Sequence, residues 1–312
     1  PLKVEGYFEA NVRANNRELR AKFYVVAGTS GSILGQATAE ALDILRVGPD
    51  IASVKSLTFS DIPASTQNII HRNADLFKGI GKLKNFQLRL HIDKSHAPVQ
   101  QHVRRLPFHT RKKVSIELQR LLDLDIIEKV EGPTTWLTPI VLVPKKNSGE
   151  VRLCLDMRRP NEAIIREKHL IPKLDEVLPL LDGASVFSKI DLREGYHQIE
   201  LHQDSREITT FITHERVFRY KRLIYGISSA FEHFQKQVET VIAGCKGAVN
   251  ISDDIFIFGR TQEEHDEILG NVFARLKEAG LKLNPAKCTF SKNEILFSGF
   301  KLTPRGIYPD ES

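Results

Sequence analysis

Three cysteines, one methionine and one tryptophan in 312 residues leave this chain short of sulfur and of indole. Cys154, Cys245 and Cys288 are odd in number, widely scattered and never spaced Cys-x-x-Cys. That excludes a disulfide framework and a structural zinc site, and it fits a reducing compartment. The three thiols are expected to pack as small buried apolar groups. Also missing are an apolar run long enough to span a bilayer, a charged-then-apolar secretory leader, an internal repeat and a low-complexity tract. The chain opens on Pro1, and its one methionine is Met157, so it is expected to be a piece of a longer or processed product.

What is present is ordinary globular material, 41% hydrophobic and 27% charged, enough for two or three compact units. The net charge of +6 is modest, but the cations cluster. Between His91 and Arg120 stand Lys94, Arg104, Arg105, Arg111, Lys112, Lys113 and Arg120 against only Asp93 and Glu117. A second group holds Lys145, Lys146, Arg152, Arg158, Arg159, Arg166, Lys168 and Lys173. Such clusters suit a phosphate backbone or a triphosphate, and equally suit solvated helix faces.

Alternating and helical patterns divide the chain. Residues 4–48 read as short strands and turns, with Gly28-Thr29-Ser30-Gly31 a turn and 36–45 a short helix. Residues 49–110 read as an irregular connector holding one alternating strand, 86–92. Val114, Leu118, Leu121 and Leu122 then mark a helix capped by Thr110, and Ile140–Val143 with Val151–Leu155 a hairpin. Residues 174–181 read as helical, 186–192 as a strand ending in Asp191, and 196–201 and 209–218 as extended. Residues 231–242 and 263–279 read as helices, the second closed by Gly280. Helices interleaved with hairpins, without regular strand-helix repetition, predict an α+β fold.

Asp253-Asp254 is the most informative pair, because it sits between apolar runs at a hairpin tip. Like charges about 4 Å apart repel by roughly 4 kcal/mol at an effective dielectric of about 20. A divalent cation with hard oxygen ligands relieves that repulsion; a solvated turn is the plain alternative. If the strand ending in Asp191 lies beside this hairpin, three carboxylates converge, a geometry able to hold two Mg²⁺ about 3.5–4 Å apart. The basic hairpin around Lys145 and Arg152 would then clamp a triphosphate.

At this point the residues carry a family resemblance. The run from Phe187-Ser188-Lys189-Ile190-Asp191 to Gly195-Tyr196-His197-Gln198-Ile199 resembles the first catalytic motif of reverse transcriptases of gypsy-type LTR retrotransposons. Val143-Pro144-Lys145-Lys146 through Arg158-Arg159-Pro160-Asn161 resembles their fingers, and Tyr225-Gly226-Ile227-Ser228-Ser229-Ala230 with Phe234-Gln235 the motif beside nucleotide and template. Ile251-Ser252-Asp253-Asp254 takes the place of the Tyr-x-Asp-Asp box. Gly280 through Cys288 is similar to the later palm motif, and Phe297-Ser298-Gly299 to the primer grip. The match runs in order from about residue 73 to 310. Residues 1–48 resemble the later half of a retropepsin, through Phe23-Tyr24-Val25-Val26 and Ile33-Leu34-Gly35. Ala27-Gly28-Thr29 lacks the carboxylate of an aspartic protease, so protease activity is not expected from this chain.

The resemblance implies an α+β right-hand fold with fingers and palm, its thumb missing, behind a partial all-β retropepsin-like segment. The implied division is 1–48 retropepsin-like, 49–100 connector, 101–302 fingers and palm, and 303–312 the start of a thumb. It implies RNA-directed DNA polymerisation, with Asp191, Asp253 and Asp254 holding two Mg²⁺ (Mn²⁺ as substitute) and Asp254 the weakest ligand. Lys145 and Arg152 would contact nucleotide phosphates, Tyr196 would stack beneath the sugar and exclude a 2′-hydroxyl, and Tyr225 and Gly226 would line the pocket. Lys287 would give a proton to pyrophosphate, or be a plain surface lysine. The implied partners are an RNA template, a DNA primer, deoxynucleotides and the RNase H and integrase regions of a parent polyprotein, with no membrane. An intracellular location, cytoplasmic or in a virus-like particle, goes with them.

Four departures from the family pattern stand against this. Ile251 replaces Tyr beside the Asp pair, Phe231 replaces a Pro suited to the helix start, and Arg216 replaces a Gly where a positive φ would be needed. Ser298 and Phe300 replace Leu and His around Gly299. They support a rival reading, a degenerate or domesticated nucleic-acid-binding remnant without catalysis. A phosphohydrolase using Asp191 as nucleophile is weaker, because Leu192-Arg193 follows where Asp-x-Asp is needed.

Overall fold

The structure is a computed structural model that describes residues 4–14, 17–26, 61–144, 151–169, 176, 178–251, 254–297, 300–304 and 306–309. The chain divides into two units, Pro1–Ser56 and Leu57–Ser312. In the first, β1 (Val4–Ala14) and β2 (Arg17–Val26) form an antiparallel hairpin with a register shift between Val4 and Gly6. The turn expected at Gly28–Gly31 and the helix at 36–45 lie outside the described residues.

The second unit begins with α1 (Ala64–Arg72) and α2 (Phe108–Asp123). Val114, Leu118 and Leu121 form the buried face of α2, as their spacing predicts. The cap is Pro107 rather than Thr110; Thr110 sits one turn in, its hydroxyl donating to the Pro107 carbonyl. Next come β3 (Ile127–Lys129), β4 (Thr138–Pro144), β5 (Val151–Leu155) and the short α3 (Arg158–Ala163). β6 (Val186–Asp191), β7 (Thr210–Ile212), β8 (Val217–Tyr220) and α4 (Ala230–Ile242) follow. Then β9 (Ala248–Ile251), β10 (Asp254–Gly259) and α5 (Gln262–Ala279) lead to β11 (Thr289–Lys292), β12 (Ile295–Phe297), β13 (Phe300–Thr303) and β14 (Gly306–Pro309).

Among the described residues of this unit the strands form three sheets: β11-β6-β10-β9, β3-β8-β7-β4-β5 and β12-β13-β14. In the first, Phe187, Ile190, Ile255, Phe256 and Ile257 are at most 1% exposed, because helices cover one face and apolar side chains fill the other. Helix α5 seats Leu269, Val272, Phe273 and Leu276 against that sheet. Phe273, Phe77 and Phe290 meet edge-on, with ring centroids 5.9–6.4 Å apart. Thr261 caps α5 by accepting from the Glu264 amide, and Gly280 ends it at φ 80°. A Cβ on Gly280 would also come within 2.6 Å of the Lys82 carbonyl.

Two extended readings need correction. Residues 86–92 form no regular strand: Leu88 and Ile92 make isolated bridges to Leu201 and Ile164, so alternation here reflects one-sided packing without a continuous partner. Residues Gly195–Gln198 form a 3₁₀ turn rather than the start of a strand. Of the helix expected at 174–181, Leu178–Leu181 is a 3₁₀ turn and 174, 175 and 177 lie outside the described residues.

Candidate active site

Asp191 ends β6 and Asp254 begins β10, and the antiparallel register places them directly opposite each other. Opposed residues share a face, with Cβ atoms about 4.5–5.5 Å apart, so two carboxylates meet at one sheet edge. Lysines compensate both: Lys287 Nζ lies 3.3 Å from Asp191 Oδ2, and Lys189 Nζ 3.3 Å from Asp254 Oδ2. The Asp191 side chain is 12% exposed and that of Asp254 27%, so the pair is open on one side. The Asn284 amide donates to the Asp191 carbonyl at 2.9 Å, fixing the strand end. Cys288 packs behind it, its thiol pushed up to about 12 by burial and therefore neutral. Of the three thiols only Cys288 is buried; Cys154 and Cys245 are half-exposed, which corrects the expectation for those two.

Asp253, Lys145, Ser298 and Gly299 lie outside the described residues, and Phe297 is placed only by its backbone pairing to Phe300. Among the described residues no group of three or more His, Cys, Asp or Glu side chains forms a metal cluster. The two described carboxylates offer hard oxygen donors at one edge, and their excess negative charge is met by ammonium groups that a cation could replace. They fit a Mg²⁺ site.

Beside this edge opens a cavity of about 390 Å³, lined by Arg152, Asp191, Tyr225, Lys287, Arg120 and Glu194 among others. Four of the expected site residues therefore converge. Arg152 comes from β5 and lays its guanidinium over the Tyr225 ring, 5.5 Å from the centroid. Tyr225 in turn leans on Tyr196 at 4.4 Å, and Tyr196 meets Phe234 edge-on at 5.2 Å. Tyr196 is only 8% exposed and does not itself line the cavity; it packs behind two residues that do, Tyr225 and Phe234. Gly195 permits this approach, since a Cβ there would fall 2.6 Å from the Phe234 ring.

Gly226 adopts φ 100° and needs glycine's freedom. Asn161 pins its loop from both sides, donating Nδ2 to the Gly226 carbonyl at 2.7 Å and accepting from the Ser228 amide at 2.9 Å. Lys287 is 67% exposed yet lines the cavity, so it is a surface lysine that also faces the site.

A second ionic layer was not singled out by sequence reasoning. Arg120 on α2 bridges Glu117 and Glu194, and His197 also reaches Glu194, Nδ1 to Oε2, at 2.8 Å. Burial alone would raise the Glu194 carboxyl, but the hydrogen bond and charge of His197, then those of Arg120, outweigh it and hold the group at about 2. The hydrogen bond to Glu117 is the largest of the causes that raise Arg120. The i, i+3 spacings of Glu117 with Arg120 and of Glu194 with His197 are the sequence signals for this layer.

The structure absorbs three departures. Arg216 is not among the positive-φ residues; Thr213 closes the turn instead, its hydroxyl accepting from the Glu215 and Arg216 amides. The expectation of a needed positive φ at 216 is therefore wrong. Phe231 is half-buried in the first turn of α4, whose first residue is Ala230. Ile251 joins a cluster with Leu181, Phe187, Phe256, Ile295 and Leu302, so an aliphatic side chain suits that place.

Residues 143–302 match the family model "Reverse transcriptase (RNA-dependent DNA polymerase)". The chain is 33% identical over 258 residues to the retrovirus-related Pol polyprotein from transposon 412 of Drosophila melanogaster, covering 78% of this chain and 20% of that protein. It is 28% identical over 253 residues to the transposon Tf2-3 polyprotein of Schizosaccharomyces pombe, covering 80% and 18%. The chain thus spans about a fifth of the length of the curated relatives it matches. Among solved structures it resembles the foamy viral protease-reverse transcriptase dRH in complex with ds DNA, at a TM-score of 0.72 and 20% identity, covering 98% of this chain and 56% of that one. It also resembles a prototype foamy virus protease-reverse transcriptase CSH mutant, at a TM-score of 0.73 and 19% identity, covering 95% and 42%. At such identities the likeness establishes the fold, an α+β arrangement of fingers and palm in the order expected. With opposed carboxylates at the palm edge and the family model matched across them, the chain belongs to the reverse transcriptase family.

Proposed function

We propose that this chain is the polymerising part of a gypsy-type LTR retrotransposon Pol polyprotein, an RNA-directed DNA polymerase. The observation that carries this reading is the register of Asp191 against Asp254 at the mouth of a cavity that also holds Arg152, Tyr225 and Lys287. The reaction is attack of a primer 3′-hydroxyl on the α-phosphate of a deoxynucleotide, forming one phosphodiester bond and releasing pyrophosphate. Asp191 and Asp254, with Asp253, would hold two Mg²⁺, or Mn²⁺ in their place; when bound, these supply charge stabilisation at the attacking and leaving oxygens.

This chain's own side chains do the rest. Arg152 and Lys145 bind and orient the phosphates, Tyr196 stacks beneath the sugar and excludes a 2′-hydroxyl, and Tyr225 and Gly226 line the nucleotide pocket. Lys287 delivers a proton to the departing pyrophosphate. Phe297, Ser298 and Gly299 grip the primer. In this reading residues 1–48 are the retropepsin-like remnant, 49–100 a connector, 101–302 fingers and palm and 303–312 the beginning of a thumb. RNase H and integrase regions of the parent polyprotein are its neighbours, and its setting is intracellular, in the cytoplasm or a virus-like particle.

The test is incorporation of labelled deoxynucleotides by the purified chain on a DNA-primed RNA template with Mg²⁺. Addition dictated by the template base supports the reading, and Asp253→Asn should abolish it. The rival reading, a non-catalytic nucleic-acid-binding remnant, predicts salt-sensitive binding of the RNA-DNA hybrid without incorporation.

A further inference from the structure

Between Asp191 and Tyr196 the chain turns sharply, and Glu194 takes a left-handed conformation there, φ 47° and ψ 51°. A residue with a Cβ adopts that conformation only when its surroundings impose it, and such outliers gather at functional sites. Here the imposing groups are visible. Arg120 Nη1 donates to Glu194 Oε1 at 2.9 Å and Nη2 to Oε2 at 3.3 Å, while Nε and Nη2 of the same guanidinium donate to the two oxygens of Glu117 at 2.8 Å. His197 Nδ1 lies 2.8 Å from Glu194 Oε2, and its ring stacks on Tyr220 at 6.0 Å. Glu117, Arg120, Glu194 and His197 all line the same cavity as Asp191. One guanidinium thus ties helix α2 to a turn 74 residues away.

We propose that Arg120 is a positioning residue for nucleotide selection: by holding Glu194 left-handed it fixes where Tyr196 stands relative to Asp191. It therefore governs how sharply the site separates deoxynucleotides from ribonucleotides. This inference rests on the polymerase reading above. The fork matters, because a planar guanidinium can serve two carboxylates at once whereas an ammonium is a point charge. Releasing Arg120 leaves Glu194 free to relax out of its left-handed conformation, which lets the Tyr196 ring drift on its Phe234 support.

Single-nucleotide incorporation on a primed RNA template tests this with matched deoxy- and ribonucleotides. Arg120→Gln should raise KM for the deoxynucleotide and cut the deoxy-over-ribo ratio of kcat/KM, each by about tenfold, while kcat stays within about twofold. Arg120→Lys should recover only part of the ratio. Arg120→Gln combined with Glu194→Gln should discriminate no worse than the single changes, since both break one unit. Unchanged KM and discrimination in Arg120→Gln, with only a lower melting temperature, would overturn the proposal; so would single-variant effects that multiply in the double. Should Arg120→Gln fail to fold, Arg120→Lys decides, and wild-type discrimination in it overturns the proposal. A wild-type chain that incorporates nothing defeats the polymerase reading itself, a result distinct from active variants with unaltered selectivity.

Discussion

Arg152 and Tyr225 show how much one contact can decide. The guanidinium rests on the phenol face, 5.5 Å from its centroid, and that ring leans on Tyr196. A cation–π contact at a half-open site is worth about 0.5–1 kcal/mol, or about two- to fivefold in affinity. Tyr225→Leu should therefore raise KM for deoxynucleotides by about that factor, while Tyr225→Phe should stay near wild type. Steady-state incorporation kinetics check both variants. Equal losses in the two would mean that the hydroxyl, not the ring face, matters. Asp191, Asp254 and Arg152 were legible from local pattern and charge, and Tyr196 and Tyr225 only through the family resemblance of the motifs that hold them. Arg120 and Glu194 were not, since their meeting depends on packing α2 against a turn far along the chain.

At the scale of elements, β6 is fastened by a buried polar chain. Ser188 Oγ lies 2.7 Å from His265 Nε2, His265 Nδ1 lies 3.1 Å from Asp266 Oδ1, and Thr66 Oγ1 donates to that same oxygen at 2.6 Å. With Asp266 ionised, Nδ1 carries the proton and donates, so Nε2 accepts from the Ser188 hydroxyl. The Ser291 amide donates to Ser188 Oγ at 3.0 Å, joining β11 to the group. Ser188 and His265 are 0% exposed, which makes this a tie between α1, α5 and the strand that carries Asp191, with no reach to a substrate.

Burial lowers the His265 pKa below 6.5, so the unfolded chain takes up the proton first. Stability should therefore fall as pH drops through about 6.5, and level off once pH is below the folded value. Asp266 is also lowered: burial would raise it, but hydrogen bonds, chiefly from Ser65 and Thr66, outweigh that. Its contribution is lost separately, below the ordinary carboxylate range. His233 shifts in the same direction as His265 through burial, so the comparison must isolate one site. Urea unfolding from about pH 7.5 to about 5.5 should show a shallower pH slope in His265→Gln than in the wild type. Equal slopes would assign the effect elsewhere.

Elements with their own pattern were legible: the apolar runs of β6 and β10, and helix α5 between Thr261 and Gly280. Residues 86–92 were not, since an alternating run signals one buried side and cannot reveal that its strand pairing, among the described residues, amounts to single bridges to Leu201 and Ile164. The 3₁₀ turn at Gly195–Gln198 was hidden likewise, because the left-handed Glu194 before it is stabilised by tertiary ion pairs rather than by local propensity.

Across the whole second unit, a palm sheet presents Asp191, with Asp254 opposite it in register, and a fingers sheet presents Arg152 to the cavity that Asp191 lines. On the polymerase reading proposed above, this convergence performs template-directed nucleotide addition. Rapid-quench incorporation of one deoxynucleotide on a primed RNA template, run with wild type, Asp191→Asn and Asp254→Asn across a Mg²⁺ titration, tests it most directly. The wild type should incorporate, Asp191→Asn should not, and Asp254→Asn should keep a residual rate that needs higher Mg²⁺ to saturate. Wild-type rates in Asp191→Asn would contradict it.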